Sequence, residues 1–271
     1  MARARPHEQG LLLSAVLSRV HGTPRALVVL DLDSTLLDNR PRQAHILREY
    51  GTSAGLPALR AARAEHVDGW DLALALRNAG LTAAEVARHL APFRRFWRAR
   101  FFTSRACLHD VPVPGAPAYV RSLAEAGATI AYVTGRPPAM RAGTLRSLAR
   151  HGFPVPGGGL RRSVRPEPVE GRTGTPGGRV RLLLKEDPAL ADDAWKTLAV
   201  RRVTALGEVV AAFDNEPAHV NLYARAWPGA LCVHLDTDHS GRPVEVLERV
   251  PSIRDFRTLR AAALEDAAAA P

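Results

Sequence analysis

Five short apolar runs, separated by amphipathic stretches, constrain the fold of this chain more than any other feature. The runs lie at residues 26–30, 129–133, 180–184, 209–213 and 231–235. Near-continuous apolar runs of this length are typical of strands that are buried on both faces of a parallel sheet. The stretches 116–126, 138–151, 188–205 and 217–226 are long enough to be the crossover helices. The pattern predicts an α/β fold with a doubly wound parallel sheet.

A long interval separates the first two runs, and most of it has helical character. Helical stretches are predicted at 43–50, 58–67, 72–78 and 82–102. We interpret residues 41–110 as a helical cap over the active site, inserted into a core made of residues 24–40 and 111–250. The aromatic residues of the cap are expected to pack together rather than to bind substrate. They are Phe93, Phe96, Trp97, Phe101 and Phe102.

Two further segments are set apart by composition. Residues 154–179 are rich in proline and glycine and are predicted to form a disordered surface loop. Residues 251–271 end in an alanine-rich stretch and are interpreted as a C-terminal tail. Neither segment contains residues to which we assign chemistry.

The basic residues are almost all arginines. The chain of 271 residues has a formal net charge of +10, and its 37 basic residues include only two lysines, Lys185 and Lys196. The arginines are dispersed without a long basic run, which favours a solvated surface over a nucleic-acid site. Because arginine replaces lysine nearly everywhere, the two lysines are candidates for a role that needs a compact positive charge.

Cysteine spacing and hydropathy exclude other classes of protein. Cys107 and Cys232 show neither a zinc-site spacing nor a disulfide framework. The apolar stretch 11–17 is short and precedes no convincing cleavage site. No run approaches the roughly 20 apolar residues that a membrane span needs. We therefore predict a cytoplasmic protein without a membrane partner.

Two carboxylates, Asp31 and Asp33, follow the first apolar run directly. Ligands of open α/β sheets bind outside the carboxyl ends of the strands, so both residues are expected at the ligand crevice. Two acids this close repel each other unless a cation lies between them or one holds a proton. A metal-bound carboxylate can attack phosphorus, and a carboxylic acid can protonate a leaving oxygen.

These residues lie in a recognisable motif. The segment Asp31-Leu-Asp33-Ser-Thr35-Leu resembles the Asp-x-Asp-x-Thr motif of the haloacid dehalogenase superfamily, in its phosphatase form with a helical C1 cap. Thr134, in Tyr-Val-Thr-Gly-Arg, matches the second motif of that superfamily. Asp214, in Phe-Asp-Asn-Glu-Pro, matches the acidic motif that completes the magnesium site.

The acidic motif and the lysine motif leave two questions open. The superfamily usually has two acids in the acidic motif, whereas this chain has Asp214-Asn215-Glu216. Asn215 and Glu216 either contact metal-bound water or belong to the start of a helix. For the motif lysine we favour Lys196, which opens the helix leading to Asp214, over Lys185 at the end of the third apolar run.

The resemblance implies a catalytic set and a metal set. Asp31 would attack a phosphate monoester to give an aspartyl-phosphate, while Asp33 protonates the leaving alcohol and then activates water. Thr134 and Lys196 would stabilise the phosphoryl group. Mg²⁺ would be held by the Asp31 carboxylate, the Asp33 main-chain carbonyl and Asp214.

Several alternatives remain at this stage. A phosphotransferase or a phosphomutase would keep the same acids, and a phospholigand-binding module would keep the fold without turnover. Dehalogenases characteristically lack the second acid, so Asp33 favours phosphoryl chemistry. The substrate is expected to be a small phosphorylated molecule, and the sequence indicates neither which one nor the oligomeric state.

Overall fold

The computed structural model describes residues 6–158 and 179–258. Nearly all of the predicted loop 154–179, and the end of the predicted tail from residue 259 onward, lie outside the described residues.

The core is a six-stranded, wholly parallel sheet in the order β5-β4-β1-β6-β7-β8. Its strands are β1 (Ala26–Leu30), β4 (Thr129–Thr134), β5 (Val180–Leu184), β6 (Glu208–Asp214), β7 (Leu231–Leu235) and β8 (Ser252–Ile253). Every residue of β1 is buried, as a central strand covered on both faces requires. The predicted α/β fold with a doubly wound parallel sheet is confirmed.

Helices cover both faces of this sheet. They are α1 (Pro6–Gly22), α6 (Ala116–Glu125), α7 (Arg141–Arg150), α8 (Asp192–Thr204) and α9 (Pro217–Ala226). One apolar cluster joins α1 and α6 to one face of the sheet, and another joins α8 and α9 to the opposite face. The two clusters divide the residues of β1 between them, because successive strand residues point to opposite faces.

Two elements of the core differ from the sequence interpretation. The core begins before residue 24, because Leu13, Val16 and Val20 lie at helical spacing on α1 and are buried against the sheet. The core also extends beyond residue 250. Ile253 in β8 and Phe256 are each only 1% exposed, so residues 251–256 belong to the core and not to a tail.

The interval between β1 and β4 is mainly helical. It contains α2 (Arg40–Ser53), α3 (Pro57–Arg60), α4 (Leu72–Asn78) and α5 (Ala83–Phe101), with short 3-10 turns at Ala64–His66 and Ala106–His109. These helices share an apolar cluster of their own. The predicted helix at 58–67 is instead α3 followed by a 3-10 turn.

A short antiparallel pair of strands lies where the chain leaves the core and where it re-enters it. β2 (Leu37–Asp38) pairs with β3 (Val111–Pro112), with Leu37 opposite Pro112. The pair brings the two ends of the helical insertion side by side. Residues that are far apart in sequence, on α2 and just before β3, therefore meet beside the end of β1.

Candidate active site

The carboxyl ends of β1 and β6 place Asp31 and Asp214 at one edge of the sheet. β1 and β6 are neighbours, and the Asp31 amide donates to the Phe213 carbonyl over 3.0 Å. Asp31 follows the last residue of β1, and Asp214 is the last residue of β6. Both side chains are buried, so their charges need partners within the protein.

Lys196 supplies the partner for both carboxylates. Its Nζ lies 2.8 Å from Asp31 Oδ1 and 2.8 Å from Asp214 Oδ2, and it donates to the Val133 carbonyl over 3.0 Å. The side chain is 2% exposed. Burial lowers the pKa of Lys196, but the two carboxylates outweigh that effect and hold the pKa well above its usual value. Lys196 is therefore a fixed cation between the two acids.

The other lysine lies at the edge of the same cavity and does not reach these acids. Lys185 Nζ pairs with Asp192 Oδ1 over 2.7 Å and donates to the Leu190 carbonyl over 3.1 Å. Asp192 begins α8, and its side chain is more than half exposed. Of the two lysines that the sequence leaves open, the structure thus brings Lys196 to Asp31 and Asp214.

Asp33 is held by two arginines that the sequence interpretation missed. Arg136 donates from Nε to Asp33 Oδ2 over 2.7 Å and from Nη2 to Asp33 Oδ1 over 2.8 Å. Arg42 adds a third bond, from Nη2 to Oδ1 over 3.1 Å. Burial raises the pKa of Asp33, but the two guanidinium groups outweigh it and lower the pKa well below its usual range.

Asp110 joins the same network and completes its charge balance. Arg42 Nε donates to Asp110 Oδ1 over 2.7 Å, and Arg136 Nη2 donates to Asp110 Oδ2 over 2.8 Å. Arg42, Arg136 and Asp110 are each 2% exposed or less. Two guanidiniums facing two carboxylates form a neutral group, of which only Asp33 is partly exposed, at 19% of its side chain.

A strained turn presents Asp33 to this network. Ser34 has φ +58°, in the left-handed region that residues other than glycine rarely adopt. The Ser34 amide donates to the Leu37 carbonyl over 2.7 Å, and Thr237 Oγ1 donates to the Ser34 carbonyl. Strain of this kind persists where the surroundings fix the backbone, and it clusters at functional sites.

The charges around Asp31 are not balanced. Burial, opposed by Lys196 and reinforced by Asp214, raises the pKa of Asp31 to about 7. Burial also raises the pKa of Asp214, but Lys196 and His219 outweigh it and lower that pKa. His219 Nδ1 lies 3.6 Å from Asp214 Oδ1. One lysine therefore does not fully neutralise the two acids, and Asp31 is the acid whose ionised form is disfavoured.

Thr134 and the residues after Asp214 complete the edge. The Thr134 hydroxyl accepts a bond from the Arg136 amide over 3.3 Å and lines the same cavity as Asp31. Asn215 is tied to Thr35, whose Oγ1 donates to Asn215 Oδ1 over 3.0 Å. Glu216 is the N-cap residue of α9, and its carboxylate accepts bonds from Ser240 and Arg242. Both side chains thus have protein partners.

A cavity of about 430 Å³ opens above these residues. Asp31, Asp33, Thr134, Lys196 and Asp214 all line it, so the structure brings every sequence-predicted site residue together. The helical insertion contributes four aromatic side chains to the lining of this cavity, namely Trp70, Trp97, Phe101 and Phe102. Phe93 and Phe96 pack within the insertion as expected, whereas the other three predicted packing residues also face the cavity.

The donor atoms at this edge are hard oxygens. Among residues 6–158 and 179–258, no group of three or more His, Cys, Asp or Glu side chains is placed to hold a metal ion. Two carboxylates and a main-chain carbonyl are nevertheless the ligand types of a Mg²⁺ ion, which commonly keeps several water ligands. The uncompensated negative charge at Asp31 also fits a cation. The chemistry of the donor set is therefore compatible with magnesium.

Comparison with known proteins gives a likeness of fold. No protein-family model matches the chain, and no curated protein sequence does. A solved structure of a phosphatase candidate from Clostridium difficile is 11% identical over 90% of this chain and 98% of its own, with a TM-score of 0.50. A haloacid dehalogenase-like hydrolase from Streptococcus pneumoniae is 14% identical over 89% and 98%, with a TM-score of 0.48. A protein tyrosine kinase from Mycobacterium tuberculosis is 17% identical over 92% and 99%, also with a TM-score of 0.48.

At this low identity the first structure shows a shared fold and nothing about substrate. The match spans almost the whole of both chains. Within the described ranges no helix is long and apolar enough to cross a membrane.

Proposed function

We propose that this chain, whose fold is haloacid dehalogenase-like, is a magnesium-dependent phosphohydrolase that acts on phosphate monoesters. One observation supports this most directly. Lys196 Nζ bridges Asp31 Oδ1 and Asp214 Oδ2 at 2.8 Å each, at the carboxyl edge where such sheets bind ligands. The carboxylates proposed as nucleophile and as metal ligand and a fixed cation thus line one cavity.

In the proposed reaction the Asp31 carboxylate attacks phosphorus and the bond to the leaving oxygen breaks. The product of this step is an aspartyl-phosphate and an alcohol. Water then attacks the aspartyl-phosphate, which releases inorganic phosphate and restores Asp31. Lys196 and Thr134 stabilise the charge on the phosphoryl oxygens as it develops, since both face the same cavity as Asp31.

Asp33 has two proposed roles, as acid toward the leaving oxygen and as base toward water. The base role needs an ionised carboxylate, which is the state that Arg136 and Arg42 favour by lowering the pKa of Asp33. The acid role requires Asp33 to carry a proton. Both of its oxygens accept arginine N–H bonds in this arrangement, so the acid role has to overcome the stabilisation that the arginines give to the ionised form.

A bound Mg²⁺ would be held by the carboxylates of Asp31 and Asp214 and by the main-chain carbonyl of Asp33. It would supply the positive charge that lets a carboxylate approach a phosphate. We also propose that residues 41–110 act as a cap that limits the site to small phosphorylated molecules. The enclosing wall of aromatic side chains from this segment supports that role.

The test is phosphate release from a panel of phosphomonoesters with and without Mg²⁺. We expect Asp31→Asn to abolish release and Lys196→Met to lower kcat by about 100-fold or more. Lys185→Met is the matched control, because the same change is made at a lysine that does not touch Asp31. Full activity in Asp31→Asn, or equal losses in the two lysine variants, would overturn the proposed roles.

A further inference from the structure

Four aromatic side chains of the helical insertion form a continuous wall of the cavity. We call Trp70, Trp97, Phe101 and Phe102 the aromatic wall. Trp97 and Phe101 are buried and stacked, with ring centroids 4.5 Å apart. Trp70 stands edge-on to both at 6.2 and 5.5 Å, and Phe102 stands edge-on to both at 5.7 and 5.1 Å. The buried pair fixes the two outer rings.

The outer rings keep a large apolar surface free. Trp70 is 40% exposed and Phe102 is 41% exposed. Among the described residues with exposed large apolar side chains, these two are the only aromatic ones, and both line the cavity. Apolar surface left in water is unfavourable by about 25 cal/mol per Å². A ligand that covers these rings recovers that free energy.

The aromatic wall is connected to Asp33 through one buried side chain, Arg42. The Arg42 guanidinium carbon is 4.5 Å from the centroid of the Phe101 ring. Nη2 of the same guanidinium is 3.1 Å from Asp33 Oδ1. A single side chain thus separates the wall from Asp33, which in the proposed reaction faces the leaving oxygen. Asp33 and the wall also line the same cavity, so a group attached to that oxygen is within the space that the wall bounds.

We propose that the substrate carries a planar aromatic ring on its leaving group, and that this ring lies against Trp70 and Phe102. The inference rests on the proposed phosphatase function and adds the substrate class to it. Flat rings suit the site because aromatic groups gain from offset or edge-on contacts beyond their buried area. The ring is joined to phosphate either directly, as in an aryl phosphate, or through a sugar, as in a nucleoside monophosphate.

The first test compares benzyl phosphate with cyclohexylmethyl phosphate. Both release a primary alcohol and carry a six-membered ring at the same distance from phosphorus, so they differ mainly in the flatness and aromaticity of the ring. We expect kcat/KM to be about 10-fold higher for benzyl phosphate, with most of the difference in KM. Equal values for the two substrates would overturn the inference while leaving phosphatase activity intact.

Variants of the outer rings show whether the wall causes the preference. Trp70→Leu and Phe102→Leu should each reduce the benzyl preference to about 3-fold or less, because kcat/KM falls more for benzyl phosphate than for cyclohexylmethyl phosphate. Phe96→Leu is the matched control, because Phe96 lies on the same helix as Trp97, packs on Tyr50 and Arg100, and does not line the cavity. An unchanged preference in both outer-ring variants contradicts the inference.

Binding of non-hydrolysable analogues separates this inference from the proposed function. Calorimetric titration with benzylphosphonate and cyclohexylmethylphosphonate needs no turnover. Tighter binding of benzylphosphonate by about 10-fold, lost in Trp70→Leu, supports the aromatic site even if no phosphomonoester is hydrolysed. In that outcome the phosphatase proposal fails and the site stands. Equal affinities reject the site whatever the activity.

Two further substrates distinguish the sources of the ring. Phenyl phosphate places the ring directly on the leaving oxygen, and adenosine 5′-monophosphate places it beyond a ribose. Ribose 5-phosphate is the reference that lacks a base. A higher kcat/KM for the nucleotide than for ribose 5-phosphate identifies a nucleoside source, and a preference for phenyl phosphate alone identifies an aryl phosphate. Ribose 5-phosphate as the best of the three contradicts the proposal.

Discussion

At the scale of single residues, the state of Asp33 is set by its arginine partners. Arg136 contacts both oxygens of the Asp33 carboxylate, and Arg42 contacts one of them. These contacts fix the ionised form and orient the side chain. The same guanidiniums also hold Asp110, so a change at one arginine alters the pairing of two acids.

Replacing Arg136 with methionine should move the pH dependence of the enzyme. The change removes the larger of the two charge effects that lower the pKa of Asp33, so that pKa rises by about one unit or more. With a substrate for which hydrolysis of the aspartyl-phosphate limits turnover, kcat reports Asp33 as the base, and the acidic limb of the kcat profile should shift to higher pH by the same amount. Arg141→Met is the control, since Arg141 is exposed at the start of α7. Superimposable profiles for wild type and Arg136→Met would show that Asp33 does not govern this limb.

Sequence reasoning reached some of these residues and not others, for a physical reason. Asp31, Thr134 and Asp214 each stand at the end of a buried strand, and strand ends can be located from apolar runs. Arg42 and Asp110 are 68 positions apart and meet only because β2 pairs with β3. Two-residue strands leave no periodic signal. Arg136 follows Thr134-Gly135 directly, and this position next to the second motif is the one sequence feature that could have marked it as a site residue.

At the scale of elements, a close contact ties the helical insertion to the core. The Gly143 amide on α7 donates to Ser104 Oγ over 3.0 Å, and Ser104 Oγ donates to the Ala139 carbonyl over 2.8 Å. Ser104 lies just beyond the end of α5. A Cβ atom on residue 143 would overlap the Ser104 carbonyl group. Glycine at this position therefore lets α7 and the segment after α5 approach closely.

Gly143→Ala should lower the free energy of unfolding by about 1–3 kcal/mol, because the overlap outweighs the better helix propensity of alanine. Urea denaturation measures this change. Gly22→Ala is the control at a helix end where nothing lies within 4 Å of the added atom, and it should change stability by about 0.5 kcal/mol or less. If the two variants are equally stable, α7 and the Ser104 segment do not pack as described.

Three strands could be predicted from the sequence to the residue, whereas one helix and one strand could not be predicted. The runs at 26–30, 180–184 and 231–235 match β1, β5 and β7 residue for residue. Helix α1 is not among the predicted elements, although Leu13, Val16 and Val20 follow a helical period. A short apolar stretch such as residues 11–17 is also compatible with a targeting segment, so its period alone does not identify a core helix. β8 has two residues, which are too few to show a periodic pattern. It pairs in parallel with β7, and this pairing depends on the folded chain and leaves no signal in the local sequence.

At the scale of the whole molecule, buried charge makes stability depend on pH. The pKa of Asp31 is raised from 3.8 to about 7, chiefly by burial. The folded state therefore holds a proton between these pH values that the unfolded state has lost. The contribution of Asp31 to the free energy of unfolding is fully present below about pH 4 and is lost as the pH rises through about 7.

The metal-free protein should accordingly become less stable between pH 5 and pH 8, by roughly 2–4 kcal/mol from this group. Asp31→Asn does not titrate, so its thermal midpoint in EDTA should rise relative to wild type as the pH increases. Asp33→Asn is the control, because the lowered pKa of Asp33 places its titration below this range. A difference between Asp31→Asn and wild type that does not change with pH would contradict the origin assigned here.

Added Mg²⁺ should oppose the same loss of stability. A metal ion that binds the Asp31 carboxylate favours its ionised form, so binding is stronger at high pH. We expect Mg²⁺ to raise the thermal midpoint of wild type more at pH 8 than at pH 5, and to have little effect on Asp31→Asn. The same increase at both values of pH would mean that the ion binds away from Asp31.

We propose that Asp31 forms a covalent bond to phosphorus, and chemical trapping of the intermediate tests this most directly. The protein is mixed with Mg²⁺ and an intact phosphomonoester that it hydrolyses, and the reaction is quenched with borohydride. Borohydride reduces an aspartyl-phosphate to homoserine, which is then located in the peptides by mass spectrometry. We expect homoserine at position 31, and only when substrate is present. Turnover without any modified residue, or with homoserine at Asp33 or Asp214 instead, would contradict it.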